Sequence, residues 1–205
     1  MSKNTVSINP PGNAIKPTLQ RFLKNETQPL HARTEKVFDL KRRVATLAGY
    51  RDTLVGLYRL HAASCTALHD VSWGDLEVDL APTRQRLDWL RGDLSYFGLV
   101  ADDLPPIPHL VLADAAEGLG CLYVIEGSML GGAFISRAIR QRLGVTTDTG
   151  GRFFYGFGDG TDAAWSSFVT ALDRHLVTTV GYRAAIGARK TFNLFAVVGA
   201  EGSKG

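Results

Sequence analysis

Apolar residues recur along this chain every three or four positions, and nowhere alternate over a sustained stretch. That is the helical period, not the strand period. Leu19, Phe22 and Leu23 begin one apolar face, which Leu30, Val37, Phe38 and Leu40 continue. Pro17 suits a first helical turn, whereas Pro29 removes a backbone donor and predicts a break near residues 25–28. Leu47, Tyr50, Leu54, Leu57, Leu60 and Leu68 predict a helix over 47–70, followed by a loop over 71–79. Another helix is predicted over 82–98, with Pro82 near its start and Gly98 near its end. Pro105, Pro106 and Pro108 enforce a non-helical connection. The longest predicted helix covers 109–142 and stops before Gly144. A glycine-rich connection over 144–160 leads to two last helices, 161–180 and 183–198. Residues 1–16 read as a flexible polar arm and 199–205 as a frayed tail. The fold class is all-α, a single domain over 17–198.

Composition narrows the function classes. The chain has 205 residues, 45% apolar and 21% charged, which is ordinary for a globular protein with a sizeable core. It has no run of 18 consecutive apolar residues, and its first residues, MSKNTVSINPPGN, carry no apolar segment. Neither a membrane span nor a secretory signal is therefore expected. Two cysteines, Cys65 and Cys121, make no disulfide framework and no cysteine-rich metal site. A reducing cytoplasm is the expected location. The net charge is +3, and the basic residues are scattered apart from Lys41, Arg42 and Arg43. With no recognition motif beside them, this is weak evidence for nucleic acid binding, and a small anionic ligand fits equally well.

Glycine changes the picture more than charge. There are 22, and several interrupt an otherwise apolar helical segment, AEGLGCLYVIEGSMLGGAFISR, over 116–137. Each costs about 1 kcal/mol against alanine in a helix interior. Gly127 and Gly131 lie four apart, on one face, and Gly120 and Tyr123 extend it by a turn. Such a bare strip admits either a close-packed helix or a broad flat ligand, and spacing alone does not choose. A phosphate loop is disfavoured, because no strand precedes the glycines and no Gly-Lys-Ser/Thr follows.

His31 is the candidate metal ligand. Glu35 follows at i+4, on the same helical side, where a carboxylate can orient an imidazole. Lys24 precedes it by seven residues and can meet an anionic group. The alternative is a surface ion pair beside an ordinary histidine. His61, His69, His109 and His175 read as structural or solvated, and both cysteines read as buried apolar side chains. Lys24, Arg137, Arg140, Arg142, Arg174 and Arg183 are candidates for a cationic rim. Tyr58, Tyr123, Phe134, Phe154, Phe192 and Phe195 supply pocket wall or core.

Two segments together, LKNETQPLHARTE and LYVIEGSMLGGAFISR, resemble the heme oxygenases, with a nearer similarity to bacterial members associated with bacteriophytochromes. The resemblance spans 17–198 and implies one helical domain with heme sandwiched between a proximal and a distal helix. It implies His31 as the axial iron ligand, Glu35 as its supporting carboxylate and Lys24 as a propionate contact. It also implies Gly127, Gly131 and Gly132 as the distal glycines, with Tyr123 one turn earlier. Phe134 is carried as an apolar contact, and Arg137 and Arg174 as further propionate contacts. Where many members carry an aspartate after the first distal glycine, this chain has Ser128, which with Gly127 and Gly131 forms the candidate catalytic set. The implied activity is heme cleavage to biliverdin, carbon monoxide and ferrous iron, at the α-meso carbon. Electrons would come from a ferredoxin, a flavodoxin or a reductase, and a bacteriophytochrome is a candidate recipient of biliverdin. The alternative on the same fold is a non-catalytic heme carrier or gas sensor, for which Ser128 is the motivating departure.

Overall fold

A computed structural model describes residues 17–74, 76 and 78–201. The predicted arm and the last four residues of the predicted tail lie outside them. Among the described residues there is no strand. The helices are α1 (Leu19–Phe38), α2 (Leu40–Arg43), α3 (Leu47–Asp70), α4 (Ala81–Tyr96), α5 (Ala115–Gly127), α6 (Gly132–Leu143), α7 (Arg152–Tyr155), α8 (Thr161–Leu172) and α9 (Tyr182–Glu201). The all-α single domain of the sequence reading is thus observed, and α3 has the predicted bounds.

Helix α9 is the hub, with α1 and α5 packed along it and α3 behind. The α5–α9 contact explains two of the glycines. A Cβ on Gly120 would lie 1.8 Å from the carbonyl oxygen of Ala184, and one on Gly187 would lie 1.9 Å from that of Glu117. The two backbones therefore touch, through a strip on α9 that also includes Ala184, Ala188 and Thr191, all fully buried. Gly118 is similarly filled, by the ring of Trp73. Helix α5 starts at Asp114, whose side chain accepts the Glu117 amide at 2.9 Å. The buried Glu117 carboxylate in turn pairs with Arg183 at 2.9 Å and Lys190 at 2.7 Å, both on α9.

Three expectations are corrected. Helix α1 runs unbroken through Pro29. Its buried face (Leu19, Leu23, Thr27 and Phe38) lies against α9 and the core, and this burial outweighs the roughly 3 kcal/mol an interior proline costs. The long helix over 109–142 is really α5 and α6 with a 3₁₀ turn, Ser128–Gly131, between them, after an extended approach over 104–113. The segment 161–180 is α8 followed by a π-helical turn, Val177–Gly181, and α9 continues to Glu201 rather than fraying at 199. By composition the stretch Ala115–Leu143 is long and apolar enough to cross a membrane, with a mean hydropathy of 1.4 over its best window. More than half of that window (56%) is buried within the fold, as in a core helix.

The glycine-rich connection is held by Asp93 of α4. Its carboxylate accepts the backbone amides of Arg152 at 2.9 Å and Phe153 at 2.8 Å, fixing α7. Burial raises the Asp93 pKa to about 6, and the two amides offset part of that rise. A carboxyl raised in the folded state is protonated more readily there than in the unfolded chain. Its contribution is fully present below the unfolded value, near 4, and is lost as pH rises through about 6. Carbon-13 NMR should give an Asp93 titration midpoint near 6, and a midpoint at the ordinary aspartate value would contradict this burial. Gly120→Ala should destabilise the fold by about 1–3 kcal/mol through overpacking, read as a lower denaturation midpoint at unchanged slope.

Candidate active site

Between α1 and the C-terminal half of α5 lies a cavity of about 700 Å³. This is inside the roughly 300–1,000 Å³ range of small-molecule and cofactor sites. Its α1 wall is a polar stripe at helical spacing: Gln20, Lys24, Thr27, His31, Thr34 and Glu35. Its opposite wall is Tyr123, Val124, Gly127, Ser128, Leu130 and Gly131. Phe38, Phe192 and Phe195 complete the apolar lining on the α9 side, and Trp165 of α8 completes it beside α5.

His31 projects from α1 with 60% of its side chain accessible. Its Nδ1 faces Glu35 Oε1 at 3.7 Å, and the Phe192 ring meets the imidazole edge-on with centroids 5.9 Å apart. The carboxylate stands beyond hydrogen-bond distance of that nitrogen, close enough to orient the ring by charge, and Nε2 is accessible as a metal ligand. Among the described residues no three His, Cys, Asp or Glu side chains converge on a metal position. His31 is thus suited to a metal that brings its other ligands with it. Lys24 lies two turns away, about 10 Å along the axis, and is the one Lys or Arg among the described cavity-lining residues.

On the opposite wall the glycines separate into two kinds. Gly127 and Gly131 have ordinary helical backbone angles, so conformation does not require glycine at either. A Cβ on Gly127 would make ordinary contact with the Trp165 ring at 3.6 Å, and one on Gly131 would meet nothing within 4 Å. At Gly131 neither packing nor backbone strain explains the missing side chain, and the space it leaves opens into the cavity. Gly132 differs, because its Cβ would lie 2.7 Å from the Phe154 carbonyl oxygen of α7. The strip drawn from sequence therefore breaks: Gly118, Gly120 and Gly132 serve packing, and Gly127 and Gly131 face the cavity.

The remaining candidates fall in different places. Ser128 lines the cavity, but its hydroxyl donates to the Ile125 carbonyl at 2.7 Å, which leaves the oxygen as an acceptor toward the cavity. Tyr123 lines it as well. Burial raises its phenol pKa, and the Thr27 hydroxyl partly offsets that. Phe134, Arg137 and Arg174 stand outside the lining. Phe134 is 56% exposed, with the Lys41 ammonium 5.5 Å above its ring, and the two arginines are exposed on α6 and after α8. Arg183 of the proposed rim is engaged with Asp114 and Glu117. His61 is fully buried against Phe153, and burial, with Arg86 nearby, pushes its pKa down to about 3. Burial pushes the Cys121 thiol up to about 12, so neither group is poised for chemistry. Trp165 was missed from sequence, and nothing in its local pattern points to a cavity. Thr27 and Thr34 were missed as well, although they continue the three-to-four spacing of Lys24 and His31, which would have found them.

The single-domain helical fold sets an accessible imidazole on α1 across the cavity from a turn that leaves open space at Gly131, a class of site able to take a flat, metal-bearing ligand between two helices. The heme oxygenase family model matches residues 17–201, and the chain belongs to that family. It is 34% identical over 113 residues to a heme oxygenase of Xanthomonas campestris pv. campestris (strain 8004), a stretch covering 55% of this chain and 66% of that protein. The fold is similar to the NO- and CO-bound heme oxygenase from Neisseria meningitidis, with a TM-score of 0.74 and 26% identity over 90% of this chain and 92% of that one. It also matches the fold of the heme oxygenase from Leptospira interrogans, with a TM-score of 0.68 over 90% and 99% of the two chains.

Neighbouring glycines should respond in opposite ways. Gly131→Ala should leave stability unchanged or raise it by up to about 1 kcal/mol, the helix-propensity difference. Gly132→Ala should lower it by about 1–3 kcal/mol, because the backbone of α7 blocks the new methyl. Thermal or denaturant unfolding of the two variants separates them, and equal responses would refute the division.

Proposed function

We propose that this chain takes heme into the α1–α5 cavity as its substrate and cleaves it to biliverdin, carbon monoxide and ferrous iron, using oxygen and externally supplied electrons. Heme cleavage is the family's activity, and the observation that supports it for this chain is the pairing of His31 with an opposing turn whose Gly131 leaves open space. Heme brings the redox-active iron, so the protein needs only one ligand of its own. His31 Nε2 would supply it, with the Glu35 carboxylate beside the opposite ring nitrogen to orient the ring. Heme held there by His31 would supply the oxygen-activating chemistry.

The protein's remaining work is positional. Lys24 would bind a propionate and limit rotation of the ring in the cavity, which would select the carbon that is attacked. We assign that carbon as α-meso. Phe192, Phe195, Trp165 and Leu130 exclude water from the reacting edge. The Gly127–Gly131 backbone admits oxygen close to the ring. The Ser128 oxygen, whose proton goes to the Ile125 carbonyl, would accept a hydrogen bond there from a water able to donate onward to oxygen. The chain's two cysteines cannot bind an iron–sulfur cluster, so electrons arrive from a ferredoxin, a flavodoxin or a reductase. Lys36, Lys41 and Arg42, exposed on α1 and α2, would steer an acidic donor toward the cavity. The reaction is assigned to the cytoplasm, with a bacteriophytochrome as one recipient of the product.

The test supplies heme, oxygen and a competent reductase, with catalase to remove free peroxide. Biliverdin identified by chromatography, with trapped carbon monoxide, is the expected result. A complex that binds oxygen reversibly and yields no bile pigment would instead establish a heme carrier or sensor. His31→Ala should retain loosely held heme but lose the iron–histidine Raman band, with turnover restored in part by added imidazole. Retention of that band would remove His31 from the assignment. Lys24→Ala should broaden the isomer distribution more than it weakens heme binding, and a single unchanged isomer would refute its orienting role.

A further inference from the structure

The last turn of α5 carries one charged side chain, Glu126, which faces α4. Arg86 meets it with both terminal nitrogens, Nη1 donating to Oε2 at 2.6 Å and Nη2 to Oε1. Thr83, one turn earlier on α4, donates its hydroxyl to Oε1 at 2.7 Å. The pair is enclosed, with the Arg86 side chain 1% and the Glu126 side chain 13% exposed. Burying two such charges carries a heavy desolvation cost, so well-packed apolar residues would stabilise this contact as well or better. What the pair adds is direction: a bidentate guanidinium–carboxylate contact fixes distance and rotation, as apolar contact does not.

Its position says what is being fixed. Gly127, the next residue, lines the cavity, and the chain then leaves the α path for the Ser128–Gly131 turn. Gly127 and Gly131 have no side chains with which to anchor that turn. The buried side chain within it is Met129, whose three soft torsions specify position poorly. Resting on the heme-cleavage reading, we infer that Thr83 and Arg86 are positioning residues of the active site, acting through Glu126 to set the height and rotation of the distal turn over the bound substrate. None of the three lines the cavity. Their effect is therefore on reaction geometry and not on substrate contact.

The experiment compares Glu126→Gln and Thr83→Val with the wild-type full chain. Readouts are heme dissociation constant, biliverdin formation rate, and the C–O stretching frequency of the ferrous carbon monoxide complex. Both variants should bind heme within about threefold of wild type, because no direct contact is lost. The biliverdin rate should fall about tenfold or more in Glu126→Gln and less in Thr83→Val, the scale expected when a reacting geometry slips by a fraction of an ångström. The C–O frequency should shift in the same order, since it senses the distal backbone directly. A wild-type rate and an unchanged frequency in Glu126→Gln would overturn the inference. If Glu126→Gln does not fold, Thr83→Val decides on the same readouts, and a wild-type rate and frequency there overturn it. If the wild-type chain binds heme yet forms no biliverdin, the heme-cleavage reading fails by itself. The frequency comparison then still decides whether Glu126 positions the turn.

Discussion

The backbone contact between α5 and α9 is the constraint on which the site depends. Gly120 against Ala184 and Gly187 against Glu117 bring the two helices closer than any pair of side chains would permit. Helix α1 packs on the same α9. With both walls referred to one support, the space between them is set by α9. Phe192 and Phe195, on the adjoining side of α9, become part of the cavity lining. A bulkier residue at either crossing point would lift α5 and change the gap that a flat ligand must fill.

Close approach brings α5 in but does not stop it sliding or turning, because its surface is largely apolar or bare. Two buried carboxylates supply the missing direction, one at each end. Glu117 ties the first turn to Arg183 and Lys190 on α9, and Glu126 ties the last turn to Arg86 and Thr83 on α4. The helix is thus positioned by charge at its ends and by the absence of side chains along its middle. Downstream, Asp93 anchors α7, whose Phe154 carbonyl abuts Gly132 at the start of α6. The distal turn is held from both of its flanks.

Much of the site was legible in the sequence. Lys24, His31, Glu35, Tyr123, Gly127, Ser128 and Gly131 all line one cavity, because helical spacing fixes which residues share a face. The resemblance carried by two short segments supplied what spacing could not: that the two faces oppose each other across a ligand. Phe134 and Arg137 fall outside the lining because the Ser128–Gly131 turn changes the helical phase, so faces extrapolated from α5 do not continue into α6. Arg174 falls outside it because it lies exposed beyond the end of α8. The Arg86–Glu126 pair had no local signal, since its members are 40 residues apart on different helices.

Periodicity by itself determined an all-α chain, the extent of α3, the capping glycine at 144 and the α1 face that carries His31. Those features depend on interactions within a few residues, and the sequence states them directly. Whether Pro29 breaks α1, and which glycines serve packing and which leave open space in the cavity wall, were decided only in the tertiary structure. A proline's cost is local, but the burial that outweighs it comes from α9, far away in sequence. Gly120 and Gly131 are the same residue in the same apolar segment. The difference is what stands opposite: a carbonyl oxygen for one and open space for the other.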